Sequence, residues 1–332
     1  MNNTTHACQS MPYSTTKYFK LPVYAVVLVV GFPLSILALC ALVRQMKRSV
    51  VLSVYIISLV LANLLQILTL PFWMYHSYHD HLWGLGKELC VVAILAFRTN
   101  FYAKNGFLCL IAMERYIGLV HPLRFHRLQT VAGAVKVSVI AWLLVMVLCA
   151  IGIGLQVNHP GQWHEHCLDG SEQNHHYAQF KVGIIGLAFF LPFFLMGFFY
   201  FRVLFELRKV VSLEKRTKRQ IYGFISLIIA TFFLLFTPYQ VTLSYRFYRE
   251  VMLSKSDSPA LCNFLRNIFI YQQATLCLST VGNILDPLLY ILLVKDVRAE
   301  LKETLSFRAP HIGNSHKSEE HRVSQYRTTE QM

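Results

Sequence analysis

Residues 49–79 read SVVLSVYIISLVLANLLQILTLPFWMYHSYH and contain no Lys, Arg, Asp or Glu. A helix needs about 20 apolar residues to cross the roughly 30 Å hydrocarbon core of a bilayer, and this run supplies them. Its apolar residues are continuous, whereas a barrel strand alternates apolar and polar positions. Lipid offers the backbone no hydrogen-bond partner, so a span of this composition is a helix. The pattern recurs along the chain. Residues 21–43 form another charge-free run, ended by Arg44. Residues 89–113 form one interrupted only by Arg98 and Lys104. Further runs lie within 137–164, 182–201, 220–245 and 267–294, the last holding a single acid, Asp286. Seven such runs with short joining segments predict an all-α membrane protein, a seven-transmembrane helix bundle over residues 21–294.

The composition agrees. Of 332 residues, 55% are hydrophobic and 14% charged, against about 25% charged in soluble domains. With 24 Phe and 17 Tyr, most of the chain is too apolar to be disordered. The formal net charge of +14 invites a nucleic-acid reading until the charges are located. With the N-terminus outside, the outer segments hold Lys17, Lys20, Lys87, Lys181, Arg246, Arg249, Lys255 and Arg266. Arg98 and Lys104 lie within a span, and the remaining 21 of the 31 Lys and Arg face the cytosol, among them Arg44, Lys47, Arg48 and the run 215–219. That bias is a topology signal. It predicts a multi-pass plasma-membrane protein with an extracellular N-terminus, bounded by membrane lipids, and no nucleic-acid partner.

The flanks divide similarly. Residues 1–20 form an outer tail without the cationic and apolar regions of a cleavable signal peptide. Asn2 and Asn3 head overlapping glycosylation sequons. Residues 295–305 alternate charge with Val and Leu, as a short amphipathic eighth helix on the membrane would. Residues 306–332 read as a disordered cytosolic tail with candidate phosphosites at Ser318, Ser324, Thr328 and Thr329. Four cysteines, Cys40, Cys109, Cys149 and Cys277, sit in spans as small apolar residues. The other four, Cys8, Cys90, Cys167 and Cys262, fall on the oxidising outer side, where three pairings are open.

Short motifs then accumulate in order. Met113-Glu114-Arg115-Tyr116 ends the third run and is followed by His121-Pro122-Leu123. Trp142 stands in the fourth, Pro192 and Tyr200 in the fifth, Phe236-Thr237-Pro238-Tyr239 in the sixth and Asp286-Pro287-Leu288-Leu289-Tyr290 in the seventh. Together, with Cys90 lying 25 residues before Arg115, they resemble the rhodopsin-like (class A) G-protein-coupled receptors. Thr69-Leu70-Pro71-Phe72-Trp73, Leu276-Cys277-Leu278-Ser279-Thr280 and the Asp-Pro form at Asp286 are similar to the proton-sensing and lysophospholipid-associated cluster, near the purinergic-like branch. The expected disulfides are Cys90–Cys167 and Cys8–Cys262. The resemblance implies a receptor and not an enzyme, with no cofactor. Its partners would be a heterotrimeric G protein and, through the C-terminal tail, arrestin. It implies a signalling switch built on Glu114, Arg115, Tyr116, Tyr200, Phe236, Pro238, Asp286, Pro287 and Tyr290. In that switch the Glu114–Arg115 pair breaks and the sixth helix swings outward about Pro238.

Departures from the family pattern matter. Ser35 replaces the usual Asn and Asn63 the usual acid, which removes much of the polar core that the resemblance would fill with a sodium ion. Lys104, 11 residues before Arg115, falls at that core. Intramembrane charge is costly without a partner, and Asp286 is the acid at hand, so a buried Lys104–Asp286 pair is expected. Lys218 stands where some relatives carry an acid, so a cross-helix lock to Arg115 is not expected.

Phe97 stands where amine receptors place an acid, which argues against a cationic ligand. Arg98, Lys181, Arg246 and Arg266 instead offer cations, and Phe97, Phe101, Tyr102 and Tyr239 apolar walls, with Trp73, Tyr75 and Tyr245 nearby. That combination suits an anionic lysophospholipid or fatty-acid-like lipid; another anion, such as a nucleotide, is the alternative. Histidine is the second feature. His76, His79, His81, His159, His164, His166, His175 and His176 cluster on the outer side and are proton-sensing candidates. Against this, Asn63 and Val145 are not acidic where proton-sensing relatives use buried acids. The spacing His76-x2-His79-x-His81 also suits zinc, but loop geometry is unconstrained and no metal site is assigned. A transporter would show a repeat or an ionisable pathway. The more serious rival is a non-signalling decoy or orphan receptor, against which Arg115, Pro238, Pro287 and Tyr290 argue.

Overall fold

The computed structural model describes residues 11–46, 51–120, 130–157, 167, 175–209, 215–253 and 258–293. The glycosylation sequons, Cys8, the amphipathic segment 295–305 and the tail 306–332 lie outside the described residues. Seven helical rods run through the rest. α1 comprises Tyr13–Val26, a wide π-helical turn Val27–Gly31 and Phe32–Met46. α2 is Val51–Tyr78, α3 Lys87–Val120 and α4 Val131–Val157. α5 joins His175–Ile185, a π turn Gly186–Phe190 and Leu191–Lys209. α6 joins Lys215–Thr231, a π turn Phe232–Phe236 and Thr237–Leu253, and α7 is Ser258–Leu293. No strand occurs among the described residues.

Proline places the three wide turns. Pro33, Pro192 and Pro238 each stand two residues after one of them. A proline has no N–H for the carbonyl four residues back, and its ring crowds that carbonyl; widening the turn relieves both. A side chain serves a carbonyl facing one of these prolines. Asn105 Nδ2 on α3 donates to Ala188 O at 3.0 Å, the carbonyl that Pro192 leaves without a donor. Thr237 Oγ1 donates to Phe232 O at 3.1 Å, a carbonyl that also accepts the Thr237 backbone N–H across the wide turn.

Six rods are long and apolar enough to cross a membrane. α3 has the length, 34 residues, or about 50 Å at 1.5 Å per residue, but carries Arg98, Lys104 and Glu114. The packing explains how those charges are tolerated. α1, α2, α4, α5, α6 and α7 touch in a closed ring, and α3 lies inside against α2, α4 and α5. Its polar groups meet protein while the ring presents Leu143, Leu144, Phe194, Phe201 and Leu234 outward. Several rods outrun their charge-free stretches. α1 starts at Tyr13, where Lys17 Nζ donates to Tyr78 O at 2.9 Å. Charges beyond the hydrocarbon can stay on a continuing helix.

The Cys90–Cys167 disulfide ties the start of α3 to the segment between α4 and α5, with Cα atoms 5.8 Å apart. Cys262 at the start of α7 is also disulfide-bonded; its expected partner, Cys8, lies outside the described residues. Cys40, Cys109, Cys149 and Cys277 are free thiols, as expected for cysteines in spans.

Candidate functional site

At the disulfide end the ring encloses a cavity of about 150 Å³, room for on the order of ten waters. Phe97, Phe101, Tyr102, Tyr239 and Leu243 supply apolar wall. Lys20, Arg98, Lys181 and Arg246 also line it, and no Asp or Glu among the described residues does.

Neutral groups contact Arg98 and Lys181, and Arg246 has a carboxylate beside its amide. Arg98 NH2 donates to Gln156 Oε1 at 2.8 Å, and its guanidinium stands 5.7 Å from the Tyr177 ring centre. Lys181 Nζ bonds Tyr102 Oη at 3.0 Å and lies 5.5 Å from the same Tyr177 ring. Arg246 NH1 donates to Gln272 Oε1 at 2.8 Å, with the Glu250 carboxylate 4.0 Å from its Nε. Lys20 lies buried near Tyr24, 5.9 Å from its ring. One aromatic therefore carries two cations, and amides take the short hydrogen bonds of both guanidiniums. Charge of one sign gathered in a low-dielectric cavity raises the local concentration of the opposite sign.

Below the cavity lies a polar core shared by α2, α3 and α7. Lys104 Nζ and Asp286 Oδ2 are 2.6 Å apart, both buried. Asn63 Nδ2 donates to the same Asp286 oxygen at 3.1 Å, and Asn100 Nδ2 donates to Asn63 Oδ1 at 3.1 Å. Asn283 Nδ2 donates to Gln66 Oε1 at 3.0 Å. Ring contacts connect the cavity floor to this core. Phe101 lies 5.0 Å from Tyr239 and stacks on Phe236 at 5.7 Å, and Lys104 Nζ stands 5.6 Å from the Phe236 ring.

At the far end of α3, Arg115 Nε pairs with Glu114 Oε2 at 2.9 Å, the acid buried and the base half-exposed. Tyr200 and Tyr290 are buried, and Tyr116 packs on Phe199 at 5.5 Å. Pro287 lies inside α7, directly after Asp286.

With this geometry in place, a sequence model described as 7 transmembrane receptor (rhodopsin family) matches residues 3–290. The chain belongs to the rhodopsin family of seven-transmembrane receptors. It is 31% identical to G-protein coupled receptor 68 of Homo sapiens over 286 residues, covering 84% of this chain and 74% of that one. It is 28% identical to probable G-protein coupled receptor 132 of Mus musculus over 296 residues, 87% and 74% of the two chains. A purinoceptor of Xenopus laevis matches at 28% over 302 residues, 88% and 55%. These are the relatives that the subfamily resemblance pointed to. The protein is a multi-pass membrane receptor and not an enzyme.

The receptor gathers most, but not all, of the residues singled out from its sequence. Phe97, Arg98, Phe101, Tyr102, Lys181, Tyr239 and Arg246 line the cavity. Arg266 does not: it is exposed on α7, about 10 Å along the helix from Gln273 at 1.5 Å per residue. Tyr75 turns to His79, with rings 4.4 Å apart, and Tyr245 is exposed against Phe264. Lys20, His76, Gln240, Gln272 and Gln273 line the cavity unforeseen. Lys20 was counted with the outer tail because it lies outside the charge-free run. The glutamines carry no sequence signal beyond being polar inside a span. The buried acid Glu250 was also missed, although Arg246 four residues earlier was its signal.

The histidines separate. His76 and His81 are buried together, ring centres 4.7 Å apart, in a box made by Tyr13 of α1, Trp73 and Trp83, and Phe269 of α7. His81 holds a left-handed backbone, φ 65°, and its N–H donates to His76 O at 2.8 Å. His79 and His176 are exposed. His175 begins α5, while His159, His164 and His166 lie outside the described residues. No group of three potential metal ligands comes together among the described residues.

Proposed function

We propose that this receptor takes its signal on the extracellular side, from an anionic lysophospholipid or fatty-acid-like lipid, protons, or both, and passes it to heterotrimeric G proteins by outward movement of α6. The carrying observation is the cavity at the disulfide end, where four cations share an apolar chamber that no described carboxylate lines. A lipid headgroup would bridge Arg98, Lys181 and Arg246, while Phe97, Phe101 and Leu243 take apolar surface out of water. The bridge draws α3, α5 and α6 together at that end. Pro238 and the wide turn at Phe232–Phe236 form the weak point of α6, so closure at one end opens the other. There Arg115 would exchange Glu114 for the G protein, with Tyr200 and Tyr290 turning toward it. Arrestin would use the tail, residues 306–332.

A specific observation also favours the proton reading. Protonating both His76 and His81 places two positive charges in one buried box where α1, α2 and α7 meet. Acidification that charges both rings would then loosen that junction. The anionic-ligand reading also fits a relative named as a purinoceptor, which makes a nucleotide the alternative anion.

The deciding experiment expresses the full chain in cells and records second messengers from about pH 8 to about pH 6, with and without lysophospholipids, fatty acids and nucleotides. A lipid response weakened in Arg98→Gln, on a flat pH curve, supports the lipid. A steep pH curve flattened by His76→Gln supports protons. Silence in every condition, with G-protein recruitment absent, makes the chain a non-signalling decoy and overturns the reading.

A further inference from the structure

The ammonium of Lys104 has more neighbours than charge neutralisation requires. It sits 2.6 Å from Asp286 Oδ2 on α7 and 5.6 Å from the Phe236 ring on α6. A cation within about 6 Å of an aromatic face is attracted to it, so one side chain of α3 grips both α6 and α7. The seventh helix is shaped for it. A Cβ on Gly282 would stand 3.2 Å from Lys104 Nζ, so glycine leaves the space the ammonium fills. Asp286 is fixed in turn by Asn63 and, through it, by Asn100. Lys104, Asp286, Asn63, Asn100 and Phe236 are each at most 5% exposed. Beside the pair lies a void of about 10 Å³, bounded by Lys104, Ile228, Leu235, Asp286 and Tyr290, close to the size of a single water. Any separation of α6 from α3 opens that void and takes Phe236 away from the ammonium.

The same Phe236 stacks on Phe101, which belongs to the wall of the outer cavity. Phe101 and Lys104 lie three residues apart on α3, on adjoining faces one turn along the helix. Phe236 thus touches the wall of the ligand chamber on one side and the ion pair on the other.

We propose that the Lys104–Asp286 pair, with Phe236 against its ammonium, is an internal lock that holds α6 and α7 to α3 in the resting receptor, and that occupancy of the outer cavity releases it by displacing Phe236 through Phe101. The proposal rests on the receptor reading above, and its test keeps the two apart. An ammonium supplied by the chain itself cannot dissociate, so the lock opens only by helix movement. Losing one partner strands a buried charge; losing both removes the tether without stranding anything.

The test uses the full-length receptor in lipid nanodiscs without ligand. Spin labels go on Lys136→Cys of α4 and Arg219→Cys of α6, both exposed sites, in a Cys40→Ser background. Nucleotide exchange on purified heterotrimers of each G-protein class is read in parallel. The neutral double variant Lys104→Met/Asp286→Asn is expected to raise the long-to-short population ratio of the inter-label distance at least about tenfold. The swapped variant Lys104→Asp/Asp286→Lys is expected to restore much of the short population. If the swap or the double variant fails to fold, Gly282→Ala keeps both charges, crowds the ammonium, and is expected to lengthen the distances by itself. A double variant with the parent distance distribution and a normal melting profile overturns the lock, as does a lengthened distribution that the swap leaves unchanged. Lengthened distances reversed by the swap, with no exchange on any G protein, support the lock while overturning the G-protein reading. Exchange that rises with unchanged distances overturns the lock and leaves the G-protein reading standing.

Discussion

Arg98 meets a glutamine, not a carboxylate, and this decides how it responds to substitution. A guanidinium paired with an acid would leave a stranded charge on removal; here removal leaves only a neutral amide. Arg98→Gln should therefore fold normally and weaken a lipid response by roughly 10–100-fold, the value of one charge-assisted hydrogen bond. Lys181→Met should behave alike, and Arg266→Gln, exposed and outside the cavity, should change nothing. Concentration–response curves on the three variants check this, and loss of response only in Arg266→Gln would move the site. Lys104 makes the opposite case. Its ammonium already occupies Asp286, so the melting temperature of the purified receptor should be equal in sodium chloride and choline chloride. A rise in sodium would mean that a free cation reaches the carboxylate. The pairing was legible in sequence, because a charge inside a span demands a partner and one acid was available. The Gln156 and Gln272 partners were not legible: an amide inside a span has many neighbours that could satisfy it, and only packing selects one.

Among the helices, proline controls local winding. Pro33, Pro192 and Pro238 each follow a wide turn by two residues, whereas Pro71 and Pro287 continue within α-helix. The carbonyl facing Pro192 is claimed by Asn105. Asn105→Leu should thus lower stability by about 1–2 kcal/mol, the cost of a buried carbonyl left without its donor. Pro192→Ala in that background should recover part of the loss, because the new N–H can reach Ala188 O. Thermal melts of the single and double variants measure the coupling; strict additivity would show that Asn105 does not serve that carbonyl. Pro238 was visible in sequence as the pivot of the sixth helix. The width of the turns was not, because proline only forbids the regular bond and the neighbouring helix decides what replaces it. Helix ends were not legible in the charge-free runs for a related reason. Charge-free runs report the thickness of the hydrocarbon, while α1, α6 and α7 continue through charged residues such as Lys17, Arg246 and Arg266.

Over the whole molecule, stability depends on the bundle and on disulfide staples, one of which joins ends far apart in sequence. Cys90 and Cys167 are separated by 77 residues, and closing a loop of that size contributes about 2–4 kcal/mol. Cys90→Ser/Cys167→Ser should reduce the cell-surface level, measured by flow cytometry, and lower the melting temperature. Orientation is testable on intact cells: Lys215 and Arg219 are exposed and should resist a membrane-impermeant amine or guanidine reagent until the cells are opened. The sequence by itself determined the seven spans, their helical character, the family motifs and the demand of Lys104 for Asp286. Each of these follows from a solvent that punishes unpaired polarity, so each can be read one segment at a time. Only the tertiary structure decided that α3 lies inside the ring, that Lys20 and His76 join the cavity while Arg266 stays outside, and that Phe236 faces both the cavity wall and the ion pair. Those facts depend on which face each helix turns toward its neighbours, and that is settled by the packing of all seven together.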